Sequence, residues 1–142
     1  MKNSENLSNS FIFPKGKKIT EETFTGNAWA ETLVSADSPF NCPIYNVTIA
    51  PGSRNNWHKH PGGQILLVTA GKGYYQEEGK PARSIKTGDV VMVPPDVKHW
   101  HGAAPDSWLV HLSITANPQK GNLEWLQPVT DAEYNNLKKF EY

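Results

Sequence analysis

At 142 residues the chain is long enough for one domain with a sizeable hydrophobic core. Its 14 basic and 14 acidic residues cancel and are mixed along the sequence, so no basic stripe indicates nucleic acid or an anionic membrane surface as a partner. A single cysteine excludes an internal disulfide, and no apolar run approaches the length of a membrane span, so we expect a cytoplasmic protein.

Short segments of alternating apolar and polar residues, a pattern typical of β-strands, dominate the chain. We expect residues 1–10, which are polar and rich in Asn and Ser, to form a flexible tail before a single domain over residues 11–142. Strands are predicted at 28–34, 44–50, 56–60, 64–70, 73–77, 83–86, 90–93, 98–102 and 108–116. Many short strands with glycine and proline turns between them predict an all-β fold, either a sandwich or a jelly-roll barrel.

One short helix is predicted after the last strand. Thr130 and Glu133 have the spacing of a capping box, in which each side chain accepts a hydrogen bond from the other residue's free backbone N–H. The helix is predicted over residues 131–140, with an apolar stripe that packs on the barrel as a structural cap. The stripe consists of Tyr134, Leu137 and Phe140.

The clearest functional signal is a group of candidate metal ligands. His58 and His60 are two apart on a predicted strand, so their side chains point to the same face, and Gln64 follows closely. His99 on a later strand completes an open site for a divalent transition metal. His101 is expected to face the same cavity, where a neighbouring cation would keep it neutral. It then serves either as a general base or as a structural histidine bonded to backbone.

Two further strands carry candidate pocket residues. The strand predicted at 108–116 has a polar face with His111, Ser113 and Thr115, which either lines the mouth of a pocket or meets solvent. On the strand predicted at 44–50, three alternating residues share one face, which forms either a pocket wall or part of an ordinary core. These residues are Tyr45, Val47 and Ile49.

These spacings resemble the two sequence signatures of the cupin superfamily. The first signature is matched at Gly52, His58, His60, Gln64 and Gly71, and the second at Gly88, Pro94 and His99. The family usually has Glu where this chain has Gln64, and Gly where it has Asp96, a residue that also adopts turn conformations suited to glycine. The resemblance covers residues 44–116 and implies a jelly-roll barrel that holds one metal ion.

A closer resemblance is to small manganese-binding cupins that include bacterial hydroxynitrile lyases. It rests on the runs Trp-His-Lys-His-Pro-Gly-Gly-Gln at 57–64, Lys-His-Trp-His-Gly-Ala-Ala-Pro at 98–105 and Val-Thr-Asp-Ala-Glu-Tyr at 129–134. Glutamine is the expected ligand in this subgroup, so the resemblance implies a metal held by His58, His60, Gln64 and His99. Manganese or iron is expected ahead of zinc or nickel, in a homodimer or homotetramer.

The resemblance implies a lyase that splits a small cyanohydrin into a carbonyl compound and cyanide. In this reaction the metal stabilises negative charge on the substrate oxygen, His101 takes the hydroxyl proton, and His111 faces the pocket. Two alternatives stay open at this point. One is an iron-dependent dioxygenase, and the other is a cupin that binds a metal or a small molecule without catalysis.

Overall fold

The computed structural model describes residues 12–137, which form two antiparallel sheets curled into a jelly-roll barrel. The strands are β1 Lys17–Lys18, β2 Phe24–Thr25, β3 Ala28–Val34, β4 Ile44–Ile49, β5 Arg54–Asn55, β6 His58–Lys59, β7 Gln64–Glu77, β8 Arg83–Lys86, β9 Val90–Val93, β10 His99–Ala103, β11 Leu109–Thr115 and β12 Glu124–Trp125. A 3₁₀ turn spans Pro118–Lys120, and the helix α1 spans Asp131–Asn135. No helix in this part of the chain has the length and apolar character needed to cross a bilayer.

The two sheets share the long strand β7. In the first sheet the strand order is β1, β3, β4, β11, β7 and β9. In the second sheet β7 pairs with β8 and β10, β10 pairs with β5 and β6, and the short strands β2 and β12 lie outside these. The all-β jelly-roll prediction is therefore confirmed. The strands β3, β8 and β9 have the predicted bounds. The strand predicted at 56–60 is reduced to the two residues of β6, and β5 precedes the predicted range.

One predicted turn is wrong. The sequence Ala-Gly-Lys-Gly at 70–73 was expected to separate two strands, but β7 runs through it without a break. Gly71 has φ 78°, and a Cβ at this position would collide with the carbonyl oxygen of Trp108, just before the neighbouring strand β11. Glycine therefore bends the strand at the point where it leaves one sheet for the other, while both ladders continue. At another turn, Asp96 has φ 64°, as expected for a residue at a position that suits glycine.

The main hydrophobic core lies between the sheets. Side chains alternate along each strand, and those that point inward fill the core. Its fully buried members include Ile49, Leu66 and Leu109. A second apolar cluster lies where the C-terminal segment covers the barrel. It contains Trp57, Tyr74, Trp100, Val129, Tyr134 and Leu137.

The C-terminal segment begins its helix with the predicted capping box. Thr130 Oγ1 accepts from the backbone N–H of Glu133 at 3.0 Å, and Glu133 Oε1 accepts from the backbone N–H of Thr130 at 2.9 Å. The helix ends at Asn135, earlier than predicted, although Tyr134 and Leu137 are buried as expected. Phe140 and the predicted tail over residues 1–10 lie outside the described residues.

Polar contacts, most of them buried, tie this segment to the strands that carry the candidate site. The Arg54 guanidinium on β5 donates to the carbonyl oxygen of Val129 at 2.8 Å and to the carboxylate of Asp131 at 2.7 Å. The Tyr134 hydroxyl donates to the carbonyl oxygen of Ala103 at 2.5 Å, at the end of β10. The helix thus holds β5 next to β10, the strand on which two of the candidate histidines lie.

Candidate metal centre

Three of the predicted ligands meet inside the barrel. His58 on β6 and His99 on β10 are opposite each other in the ladder, and His60 follows β6 on the same face. One ring nitrogen from each of the three lies within 4.8 Å of the others, and all three residues are buried. Metal–nitrogen bonds of about 2.1 Å put ligand atoms roughly 3 to 4.2 Å apart. The three nitrogens are grouped closely enough that these residues could hold a single divalent ion.

Backbone hydrogen bonds determine which ring nitrogen of two histidines faces the cluster. Nδ1 of His58 lies 2.7 Å from the carbonyl oxygen of Asn56, and Nδ1 of His99 lies 2.9 Å from the carbonyl oxygen of Val97. Because a carbonyl only accepts, each Nδ1 carries the proton and each Nε2 keeps a free electron pair. This is the tautomer and orientation that a histidine ligand of a metal requires.

The predicted amide ligand completes the group. Gln64, the first residue of β7, has its Oε1 3.2 Å from Nε2 of His99, while its Nε2 donates to the Ser113 hydroxyl at 2.6 Å. Oε1 and the His99 Nε2 are both electron-pair donors, and neither has a proton to share. Two such atoms facing each other at this distance suit a cation between them, so the donor set fits a metal ion.

Burial keeps these imidazoles neutral. It lowers the pKa of His58 well below its ordinary value, lowers the pKa of His60 to about 4, and lowers the pKa of His99. A metal ligand must present an unprotonated nitrogen, so no proton has to be displaced from these rings near neutral pH.

His101 lies beside the cluster, as its alternation with His99 predicted. Its ring centroid is 5.5 Å from that of His58 and 5.9 Å from that of His99. Asn55 holds it: Oδ1 accepts from the backbone N–H of His101 at 2.9 Å, and Nδ2 lies 3.2 Å from ring Nε2. Burial, followed by the neighbouring His111, lowers the pKa of His101 well below its ordinary value.

His111 faces the interior of the barrel and not solvent, which resolves the alternative that the sequence left open. It is fully buried, and its ring stands nearly perpendicular to that of His101 with the centroids 4.8 Å apart. Among residues 12–137, neither of its ring nitrogens makes a hydrogen bond of normal geometry, although the Leu112 backbone is close enough to favour the protonated ring. Burial lowers the pKa of His111 to about 4, so the ring is neutral.

A cavity of about 370 Å³ opens beside these histidines. Tyr45 and Val47 line it, as the strand alternation suggested, and so do His58, His60, Gln64, His101 and His111. Ile49 does not. It is the last residue of β4 and is fully buried in the core cluster that includes Ala28, Leu66 and Leu109.

Several cavity residues were not predicted from the sequence. Asn55, which contacts His101, belongs to a polar stretch without any spacing rule to distinguish it, and it meets β10 only through the pairing of β5. Phe24 and Trp125 come from two-residue strands that are too short to show periodicity. Ser113 was placed on the polar face of its strand, but its bond to Gln64 depends on the register between β11 and β7.

Comparisons with known proteins agree with this architecture. Residues 45–115 match the family model described as "Cupin domain". A curated (R)-mandelonitrile lyase from Granulicella tundricola is 43% identical over 111 residues, which are 78% of this chain and 85% of that protein. The crystal structure of a cupin-like protein from Thermotoga maritima superposes with a TM-score of 0.87 at 53% identity, over 89% of this chain and 96% of that one.

A more distant structure shows the same barrel. A cupin 2 conserved barrel domain protein from Rhodopseudomonas palustris has a TM-score of 0.64 at 20% identity, over 87% of this chain and 80% of that one. At this identity the likeness concerns the fold alone. Together, the matched domain, the close relatives and the buried histidine group in a jelly-roll barrel show that the chain belongs to the cupin family.

Proposed function

We propose that this protein is a metal-dependent lyase that cleaves cyanohydrins into a carbonyl compound and hydrogen cyanide. The observation that carries the proposal is a neutral, buried His101 directly beside a metal site whose candidate ligands are all uncharged. Once a divalent ion is bound, such a site would combine a proton acceptor with an ionic charge that no ligand neutralises. Removal of a proton from a substrate hydroxyl requires both. The chain is 43% identical to a mandelonitrile lyase over 111 residues, which supports the same reaction class.

The proposed metal ligands are His58, His60, Gln64 and His99, and the proposed ion is manganese or iron. When bound, the ion supplies positive charge that stabilises negative charge on a substrate oxygen. Three neutral imidazoles and an amide leave that charge uncompensated, in contrast to a site with a carboxylate ligand. The backbone bonds at Nδ1 of His58 and His99 hold both rings in the orientation that this role needs.

His101 is the proposed acceptor of the hydroxyl proton. Once the proton is removed, the oxygen's electron pair forms the carbonyl double bond, and the carbon–carbon bond to the nitrile breaks with its electron pair on cyanide. The proton on His101 then passes to cyanide, which leaves as hydrogen cyanide. His111 offers a second neutral imidazole beside His101 in the lining of the cavity.

Asn55 supports this role for His101. An N–H donor beside the ring opposes a second proton, so it keeps the imidazole in the form that can accept one. Asn55 Nδ2 lies 3.2 Å from Nε2 and 3.4 Å from Nδ1 of His101. Both distances exceed that of a typical hydrogen bond, about 2.9 Å, so a substrate hydroxyl can compete for a ring nitrogen.

The test uses the full chain loaded with Mn²⁺ and given mandelonitrile, with benzaldehyde release followed by absorbance. We expect release above the rate of spontaneous decomposition, its loss on chelation, and a fall of at least about 100-fold in His101→Ala. Lys59→Ala is the matched control, because Lys59 lies between two candidate ligands but does not line the cavity. Equal release by the loaded, stripped and His101→Ala proteins would contradict the proposal, and oxygen uptake with Fe²⁺ and a diketone would instead indicate a dioxygenase.

A further inference from the structure

We propose that Ser113 is a positioning residue that turns the amide oxygen of Gln64 toward the metal and thereby sets metal affinity. The inference rests on the metal site of the proposed function, but not on the reaction carried out there. It concerns the ligand at which this chain departs from the carboxylate common in its family, because an amide, unlike a carboxylate, has two chemically different ends.

The contacts of the Gln64 amide show how it is oriented. Its nitrogen donates to the Ser113 hydroxyl at 2.6 Å, and its oxygen faces Nε2 of His99 at 3.2 Å. Both Gln64 and Ser113 are more than nine-tenths buried. Only the oxygen of the amide can bind a cation, so the end that faces His99 decides whether Gln64 is a ligand.

Loss of the hydroxyl should weaken the metal-loaded form more than the metal-free form. With an ion present, the amide oxygen is held at the metal and the amide N–H groups must face position 113. An alanine there would bury those donors without an acceptor. The metal-free protein is less affected, because the amide can turn and donate to Nε2 of His99, which has a free electron pair.

The experiment is a titration of the chelator-treated full chain with Mn²⁺, with free Mn²⁺ measured by electron paramagnetic resonance. We expect Ser113→Ala to raise the Mn²⁺ dissociation constant by about tenfold or more, and Ser113→Thr, which keeps the hydroxyl, to stay within about threefold of the natural protein. In a Gln64→Glu background, Ser113→Ala should change the constant by less than about threefold, because a carboxylate has two equivalent oxygens and no N–H to satisfy.

Thr115→Val is the matched control. Thr115 lies two residues further along the same face of β11 and opposite Gln64 in the ladder, but its hydroxyl makes no bond to the amide. We expect its Mn²⁺ affinity to be unchanged. An unchanged constant in Ser113→Ala, an equal loss in the two backgrounds, or an equal loss in Thr115→Val would overturn the proposal. Since the readout is Mn²⁺ affinity, a failure to cleave cyanohydrins would leave it standing.

Discussion

His58 and His99 face each other across the β6–β10 ladder, and each ring donates its Nδ1–H to the carbonyl oxygen of the residue two positions earlier. Each bond joins a histidine to the segment just before its strand, and neither bond needs a metal. Two of the four candidate ligands are therefore held in place by the backbone. Metal binding should stabilise an existing fold and not create one.

The first prediction concerns metal removal. Chelator-treated protein should unfold cooperatively, and Mn²⁺ at about 100 times its dissociation constant should raise the unfolding free energy by about 2.7 kcal/mol and the melting temperature by about 5–10 °C. Scanning calorimetry measures both. A variant with His58→Ala and His60→Ala should show no Mn²⁺-dependent shift and no metal by elemental analysis. Stoichiometric metal in that variant would show that His58 and His60 do not hold the ion.

The second prediction concerns pH and His111. Its folded pKa of about 4 lies below the ordinary value of 6.5, so between these values the unfolded chain binds a proton that the folded chain does not. Stability should therefore fall as the pH is lowered through this window, with a contribution from His111 of up to about 3 kcal/mol. Urea unfolding of the metal-free proteins measures this effect. The unfolding free energy of His111→Gln should fall less steeply with decreasing pH than that of the natural protein. Parallel pH curves for the two proteins would refute the assignment.

The third prediction compares the loss of stability when each partner of the Arg54–Asp131 ion pair is substituted. The Arg54 side chain is 6% exposed, whereas that of Asp131 is 84% exposed. Arg54→Met should cost about 2–4 kcal/mol, because it leaves the buried carbonyl of Val129 without a donor. Asp131→Asn should cost less than about 1 kcal/mol, as for an exposed charge pair. Urea unfolding tests both, and equal losses would show that the ion pair itself is the stabilising contact.

The fourth prediction concerns substrate choice. Tyr45 narrows the cavity, so Tyr45→Ala should raise kcat/KM for bulkier cyanohydrins relative to mandelonitrile. Ile49→Val is the matched control on the same strand. It should lower stability by about 1 kcal/mol without changing the ratio of the two kcat/KM values, since Ile49 lies in the core. A changed substrate ratio in Ile49→Val would show that the core position also shapes the cavity.

Local patterns in the sequence were sufficient for much of the fold. Alternation located most strands, and the capping box located the start of α1, because both depend on residues close together in the chain. The turn predicted around Gly71 was wrong because the continuation of the strand depends on residues that are distant in the sequence. Glycine indicates a bend, but whether the ladder continues beyond it depends on neighbouring strands that local sequence does not describe.

For the site, the sequence alone determined which residues could bind a metal and that His58 and His60 share a face, because strand geometry follows from the backbone. Only the tertiary structure decided which of these atoms meet. Alternation tells the side of a strand but not the depth along the barrel, which is why Tyr45 reaches the cavity and Ile49 does not. The Ser113–Gln64 bond likewise joins residues 49 positions apart, and it exists only through the register between β11 and β7.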